Sequence, residues 1–240
     1  ADGYTLLYGG GSTFVINPVL LKNLPYDPLK TFDAIGLVCR TPLAVLAHPA
    51  VPAGSVKELI AVLAGKPGQY SYGSFGNGTV SHFAGEMFVA ATGVKVLHVP
   101  YKGSTPALND LIAGQIQLSF DTVVVASPQA RTGRIRIIAV TTRERSALLP
   151  DVPTVAESGY AGFDVDAWIG LVSSVGTPRA VIKKLEAEMI NVVGTKDVRD
   201  RFAAIGVDTV GTGSNSFVEL VKQELPRYTK IARDANITAE

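Results

Sequence analysis

The chain has 240 residues, 47% hydrophobic and 18% charged, with a net charge of +1. That length supports one large or two small packed units, and the near-neutral balance argues against a nucleic-acid partner. A lone cysteine, Cys39, excludes an internal disulfide, no signal-peptide pattern opens the chain, and every apolar run is too short to span a bilayer.

In chain order, Tyr4–Tyr8 (YTLLY) reads as a strand running into the glycine turn Gly9–Gly11, and Pro42–His48 (PLAVLAH) as a second, almost wholly apolar strand. Ser55 and Glu58 have the spacing of a capping box, with Val56, Leu59, Ile60 and Leu63 as the apolar stripe of the helix and Gly65 as its stop. Tyr70–Tyr72 is a short strand, and Val80, Phe83, Ala84, Met87, Phe88 and Ala91 keep a helical period. A strand at 94–99 and a helix with Thr105 as N-cap and Pro106 at its first position follow. Strands at 116–120, 135–140 and 168–173 come next, then a helix from Thr177-Pro178 with its stripe at Val181, Ile182, Leu185, Met189 and Val192. Two more helices cover 197–205 and 216–233, the second expected to kink at Pro226. Short apolar strands separated by helices predict an α/β fold built on mainly parallel sheets.

The segment GSFGNGTVSH (73–82) joins a strand to a helix. Ligands of parallel α/β sheets sit beyond the carboxyl ends of strands, and a helix start offers unpaired N–H groups. Glycines let the backbone come close to a ligand, and Ser74, Asn77 and Thr79 add polar groups, so the turn predicts an uncharged cradle for an anion. A capped tight turn is the competing reading. No Gly-Lys-Ser/Thr follows, which argues against a phosphate loop. Lys102 follows the next strand and offers one positive charge at the same sheet end.

Catalytic signals are sparse. His48, His82 and His98 lack metal-ligand spacing, and adjacent Ser81 and His82 on a helix point about 100° apart, so they form no nucleophile pair. His82 packs on the helix face or touches a ligand. Asp121 ends a strand with no partner carboxylate in view, and Trp168 either closes over a pocket or packs in the core. No metal or cofactor is expected.

Four segments carry a family resemblance in one order: INPVLLKNLPYDPLKTF (16–32), GSFGNGTVSHFAGE (73–86), VPYKGSTPALNDLIAGQIQLSFD (99–121) and LLPDVPTVAESG (148–159). Together they resemble the extracytoplasmic solute receptors of tripartite tricarboxylate transporters, the Bug family. The resemblance covers essentially the whole chain. It implies a two-lobed periplasmic binding protein of type II-like architecture that captures a small organic carboxylate (a di- or tricarboxylate, an amino acid or an aromatic acid) in an interlobe cleft and passes it to membrane components of the transporter.

By position, the resemblance implies a first lobe of 1–45 and 171–240, a second of 46–170, and crossing strands at 42–48 and 168–173. It implies that Ser74, Asn77, Gly78 and Thr79 hold a ligand carboxylate, that Ser12 and Thr13 belong to the first-lobe loop, and that Tyr101, Lys102 and Asp121 line or border the cleft. Phe75, Gly76, His82 and Trp168 complete the expected binding set. It also implies an upstream β-α-β-α segment that this sequence does not include, so the first lobe is expected to be incomplete and the strand at Tyr4–Tyr8 to have an open edge. Two other functions share the scaffold: an enzyme using Asp121 or His82 as acid or base, and the effector-binding module of a transcription regulator.

Overall fold

The computed structural model describes residues 1–238. The elements run β1 (Leu6–Gly10), a π-helical turn (Ser12–Ile16), α1 (Asn17–Leu20), β2 (Phe32–Ala47), α2 (Val56–Gly65), β3 (Ser71–Ser74), α3 (Val80–Thr92), β4 (Leu97–Pro100), α4 (Ser104–Ile112), β5 (Leu118–Thr122) and α5 (Val123–Arg131). They continue with β6 (Arg136–Val140), β7 (Asp166–Ser174), α6 (Arg179–Val193), α7 (Lys196–Ala204), β8 (Asp208–Gly213) and α8 (Ser214–Asp234). The chain divides into two compact units. Among the described residues, unit 1 holds Ala1–Arg40 and 167–238; unit 2 holds Thr41–Asp166.

The sheet of unit 2 has β3 parallel to both β4 and β5, while β2 runs antiparallel to β5 and β6. β3, β4, β5 and β6 therefore point one way, and their carboxyl ends share one edge. The core behind this sheet includes Leu46, Leu111, Ile116, Val123, Ala126, Ile135 and Val140, all buried. Helix α2 starts as the sequence predicts, with Ser55 Oγ accepting from the Glu58 N–H at 3.2 Å. The Glu58 carboxylate reaches back one residue further than a capping box requires, to the Gly54 N–H at 2.7 Å.

Unit 1 departs from the expectation of parallel strands. β1 pairs antiparallel with β7, and β2 with β8. The rule tying helix-separated strands into parallel neighbours holds for strands consecutive in one sheet. β1 and β7 have all of unit 2 between them, so that rule does not apply to their pairing. Among the described residues β1 pairs with β7 alone. Its apolar residues Leu6 and Leu7 are 40% and 38% exposed, so the edge is open as expected. Helix α8 continues through Pro226 without an interruption in its helical assignment, packing Phe217, Val221 and Tyr228 inward. Pro226 removes one donor, and the 21-residue helix keeps the remaining ladder on either side.

Candidate functional site

The loop between β3 and α3 lies at the carboxyl edge of the unit 2 sheet. Gly76 and Gly78 take φ of +133° and +67°, values that a side chain disfavours. Three internal contacts fix this path. Ser74 Oγ accepts from the Gly76 N–H at 3.2 Å, the Thr79 hydroxyl donates to the Gly76 carbonyl at 2.8 Å, and the Gly78 N–H donates to His82 Nδ1 at 3.2 Å. Thr79 is the N-cap of α3, with a long 3.4 Å bond from the His82 N–H to its hydroxyl. The loop is also tied to the β4–α4 connection, because the Tyr101 N–H donates to the Ser74 carbonyl and the Gly103 N–H to that of Phe75.

These bonds engage part of the expected cradle. The hydroxyls of Ser74 and Thr79 serve the loop itself, and Ser74 is fully buried. The exposed Asn77 side chain and the N–H groups of Asn77, Val80 and Ser81 make no hydrogen bond among the described residues. Asn77 and Val80 present theirs at the positive end of the 13-residue helix α3, whereas Ser81 is fully buried.

Behind the loop lies a buried aromatic stack. The His82 ring lies on His98 with centroids 4.0 Å apart and planes 9° apart, and His98 lies on Tyr72 at 4.8 Å. Ser74 Oγ is 2.7 Å from His98 Nε2. The Tyr72 hydroxyl donates to Glu86 Oε1, which is 3.9 Å from His82 Nε2. Gly85 makes this stack possible: a Cβ there would fall 2.3 Å from the Tyr72 ring. Burial holds His82 down to about 4, and burial with the neighbouring His82 does the same for His98, so both rings are neutral near pH 7. His82 thus packs behind the loop, with its Nδ1 accepting from the Gly78 N–H.

Asp121 is the last residue but one of β5 and is 1% exposed. Its carboxylate accepts from the Ser104 hydroxyl at 2.5 Å and the Thr122 N–H at 2.6 Å, joining the first residue of α4 to the start of α5. Burial pushes Asp121 up to about 6, against those two hydrogen bonds. Tyr101 donates to Asp110 at 2.8 Å, and Lys102 is exposed at the same edge.

Ser12 and Thr13 lie in unit 1, in the π-helical turn that follows β1, and the Thr13 carbonyl accepts from the Tyr26 hydroxyl at 2.7 Å. Trp168 also belongs to unit 1 and is a core residue rather than a lid. It is 2% exposed, its Nε1 donates to Glu224 at 2.8 Å, and its ring packs against Phe14 and Phe217.

Sequence reasoning missed His98, Ser104, Tyr72 and Glu86. The His82–Glu86 spacing of four was legible on α3. The His98 contacts depend on the register that sets Tyr72 opposite His98 on adjacent strands, a pairing 26 residues apart with no local signal. The same register brings Ser74 to His98, a hydroxyl–imidazole pair where spacing along the chain had shown none. Its full burial and its bond to Gly76 give Ser74 a structural task.

The chain is similar to the UPF0065 protein in the tcbD-tcbE intergenic region of Pseudomonas sp. (strain P51), with 32% identity over 244 residues, 100% of this chain and 71% of that protein. Its structure resembles that of R. palustris Rpa4515 with adipate (30% identity, 99% of this chain, 79% of that one, TM-score 0.92). It also resembles periplasmic binding protein BugD (33% identity, 100% of this chain, 80% of that one, TM-score 0.89). The family model TctC, "Tripartite tricarboxylate transporter family receptor", matches residues 1–237, and the chain belongs to that family.

Proposed function

We propose that the protein is a periplasmic receptor that binds a small organic carboxylate at the β3–α3 loop and delivers it to the membrane components of a tripartite tricarboxylate transporter. The observation that carries this reading is the set of unspent donors around Asn77 at the start of α3. Unpaired N–H groups at a helix start suit a carboxylate, and hydrogen bonds to an ionised group are the strong ones. The fold and family of a relative solved with adipate support the ligand class. Lys102, exposed near the same edge, favours an anion over a neutral ligand.

The ligand is recognised by hydrogen bonding and released unchanged. The testing experiment is a thermal-shift screen of di- and tricarboxylates, amino acids and aromatic acids, followed by calorimetric titration of the hits. Replacement of Asn77 by Ala should weaken the best carboxylate roughly tenfold or more, on the scale of one lost charge-assisted bond. Equal binding by Asn77→Ala, or binding by none of the acids, defeats the reading.

A further inference from the structure

We propose that His82 is a positioning residue for the ligand loop, holding the Asn77–Gly78 corner through an unprotonated Nδ1 that accepts the Gly78 N–H. This rests on the carboxylate-binding reading for its functional consequence, though the local structure it describes stands apart from that reading.

The corner is weakly held otherwise. Among the described residues, the Gly78 N–H bond to His82 Nδ1 is the one hydrogen bond that either Asn77 or Gly78 makes. Gly76 and Gly78 on either side of Asn77 have positive φ, and glycine does not enforce such a path by itself. Asn77 carries the one unspent side-chain donor of the loop, so its direction depends on the support beneath Gly78. His82 supplies that support from the first turn of α3, where it is 7% exposed and held by the stack with His98.

The geometry also selects the tautomer. Nδ1 is an acceptor, so the single proton of neutral His82 lies on Nε2, the nitrogen that faces Glu86. Among the described residues, three titratable groups surround His82. Glu86 lies on its own helix, His98 is on β4, and Tyr72 on β3 reaches it through Glu86. β5 meets α3 through Phe120, whose carbonyl accepts from Ser81, and the acid of β5, Asp121, is committed to Ser104 and Thr122. A second proton on His82 must go to Nδ1. There it faces the Gly78 N–H, donor against donor, and the corner is released.

Asn is the informative replacement. Its Oδ1 occupies the place of Nδ1 and accepts without titrating, whereas Ala removes the acceptor. The experiment measures amide exchange protection at Gly78 and the imidazole ¹⁵N shifts of His82 between pH 7 and pH 4, with adipate titrations at pH 7 as a separate arm. The expected result is an Nε2–H tautomer at pH 7 and Gly78 protection that falls at least tenfold on acidification. That fall should be absent in His82→Asn, and His82→Ala should lack the protection at every pH. An Nδ1–H tautomer at pH 7, or wild-type Gly78 protection in a folded His82→Ala, overturns the proposal. Adipate binding that is unchanged in His82→Ala despite lost Gly78 protection overturns the positioning role. If the exchange and tautomer results hold and no carboxylate binds wild type, the functional reading fails while the role of His82 in the loop stands.

Discussion

Ser74 Oγ lies 2.7 Å from His98 Nε2, and this contact joins the last residue of β3 to the middle of β4 directly beneath the β3–α3 loop. With the Gly76 N–H also bonded to Ser74 Oγ, one buried hydroxyl serves both the sheet and the turn above it. The loop is therefore held from beneath by a residue buried in the sheet.

Replacement of Ser74 by Ala should cost about 1–3 kcal/mol of stability, because the Gly76 N–H and His98 Nε2 lose a buried partner. Urea unfolding measures this. A variant as stable as wild type would show that water or a shifted His98 replaces the hydroxyl without penalty.

Thr79→Val should cost about 1 kcal/mol through loss of the α3 cap and the bond to the Gly76 carbonyl. Since the hydroxyl is committed within the loop, its effect on ligand affinity should follow the loop's disorder. Replacement by Ser, which keeps the oxygen, should restore both stability and affinity; failure of Ser to restore either contradicts the capping role.

Acid should destabilise the protein through the two histidines. Their folded values lie near 4, below the ordinary 6.5, so the folded state binds fewer protons than the unfolded chain in that interval. Their contribution is present above pH 6.5 and is lost as the pH falls towards 4. Asp121 has the opposite sign: its folded value of about 6 exceeds the ordinary 3.8, so it favours the folded state at low pH and opposes it as pH rises through this range. Denaturant midpoints from pH 4 to 8 should fall on the acid side in wild type and fall more steeply in Asp121→Asn, where the opposing group is gone.

At pH 7, Asp121→Asn should leave stability unchanged or raise it, by up to about 3 kcal/mol if the full displacement from 3.8 to 6 is recovered. The amide can still accept from the Thr122 N–H and donate to Ser104. Asp121→Ala offers neither contact and should be destabilised by about 1–3 kcal/mol. Loss of stability in both variants would mean that the charge itself is favourable at this position.

The sequence was informative where one segment carries its own pattern. Ser55 and Glu58 announce the start of α2, and the period of Val80, Phe83, Met87 and Phe88 announces α3. β2 was read from Pro42 only, whereas it begins at Phe32, because Gly36 and Pro42 break any alternation in FDAIGLVCRTP. β8, DTVGTG, has two glycines and little apolar content, and its pairing with β2 defines it. The glycine-hydroxyl turn was legible as a polar loop at a helix start. Which of its groups remain available was not, because that depends on His82 of α3 meeting His98 of β4, two elements brought together only by the fold.

The most direct test of the central claim is an NMR titration of the ¹⁵N-labelled protein with adipate at pH 7. Saturable shifts should concentrate at the amides of Asn77 and Val80 and at the Asn77 side chain, the exposed donors without partners. Saturable binding that leaves those resonances unmoved, or no binding by adipate or any of the other acids screened, would contradict it.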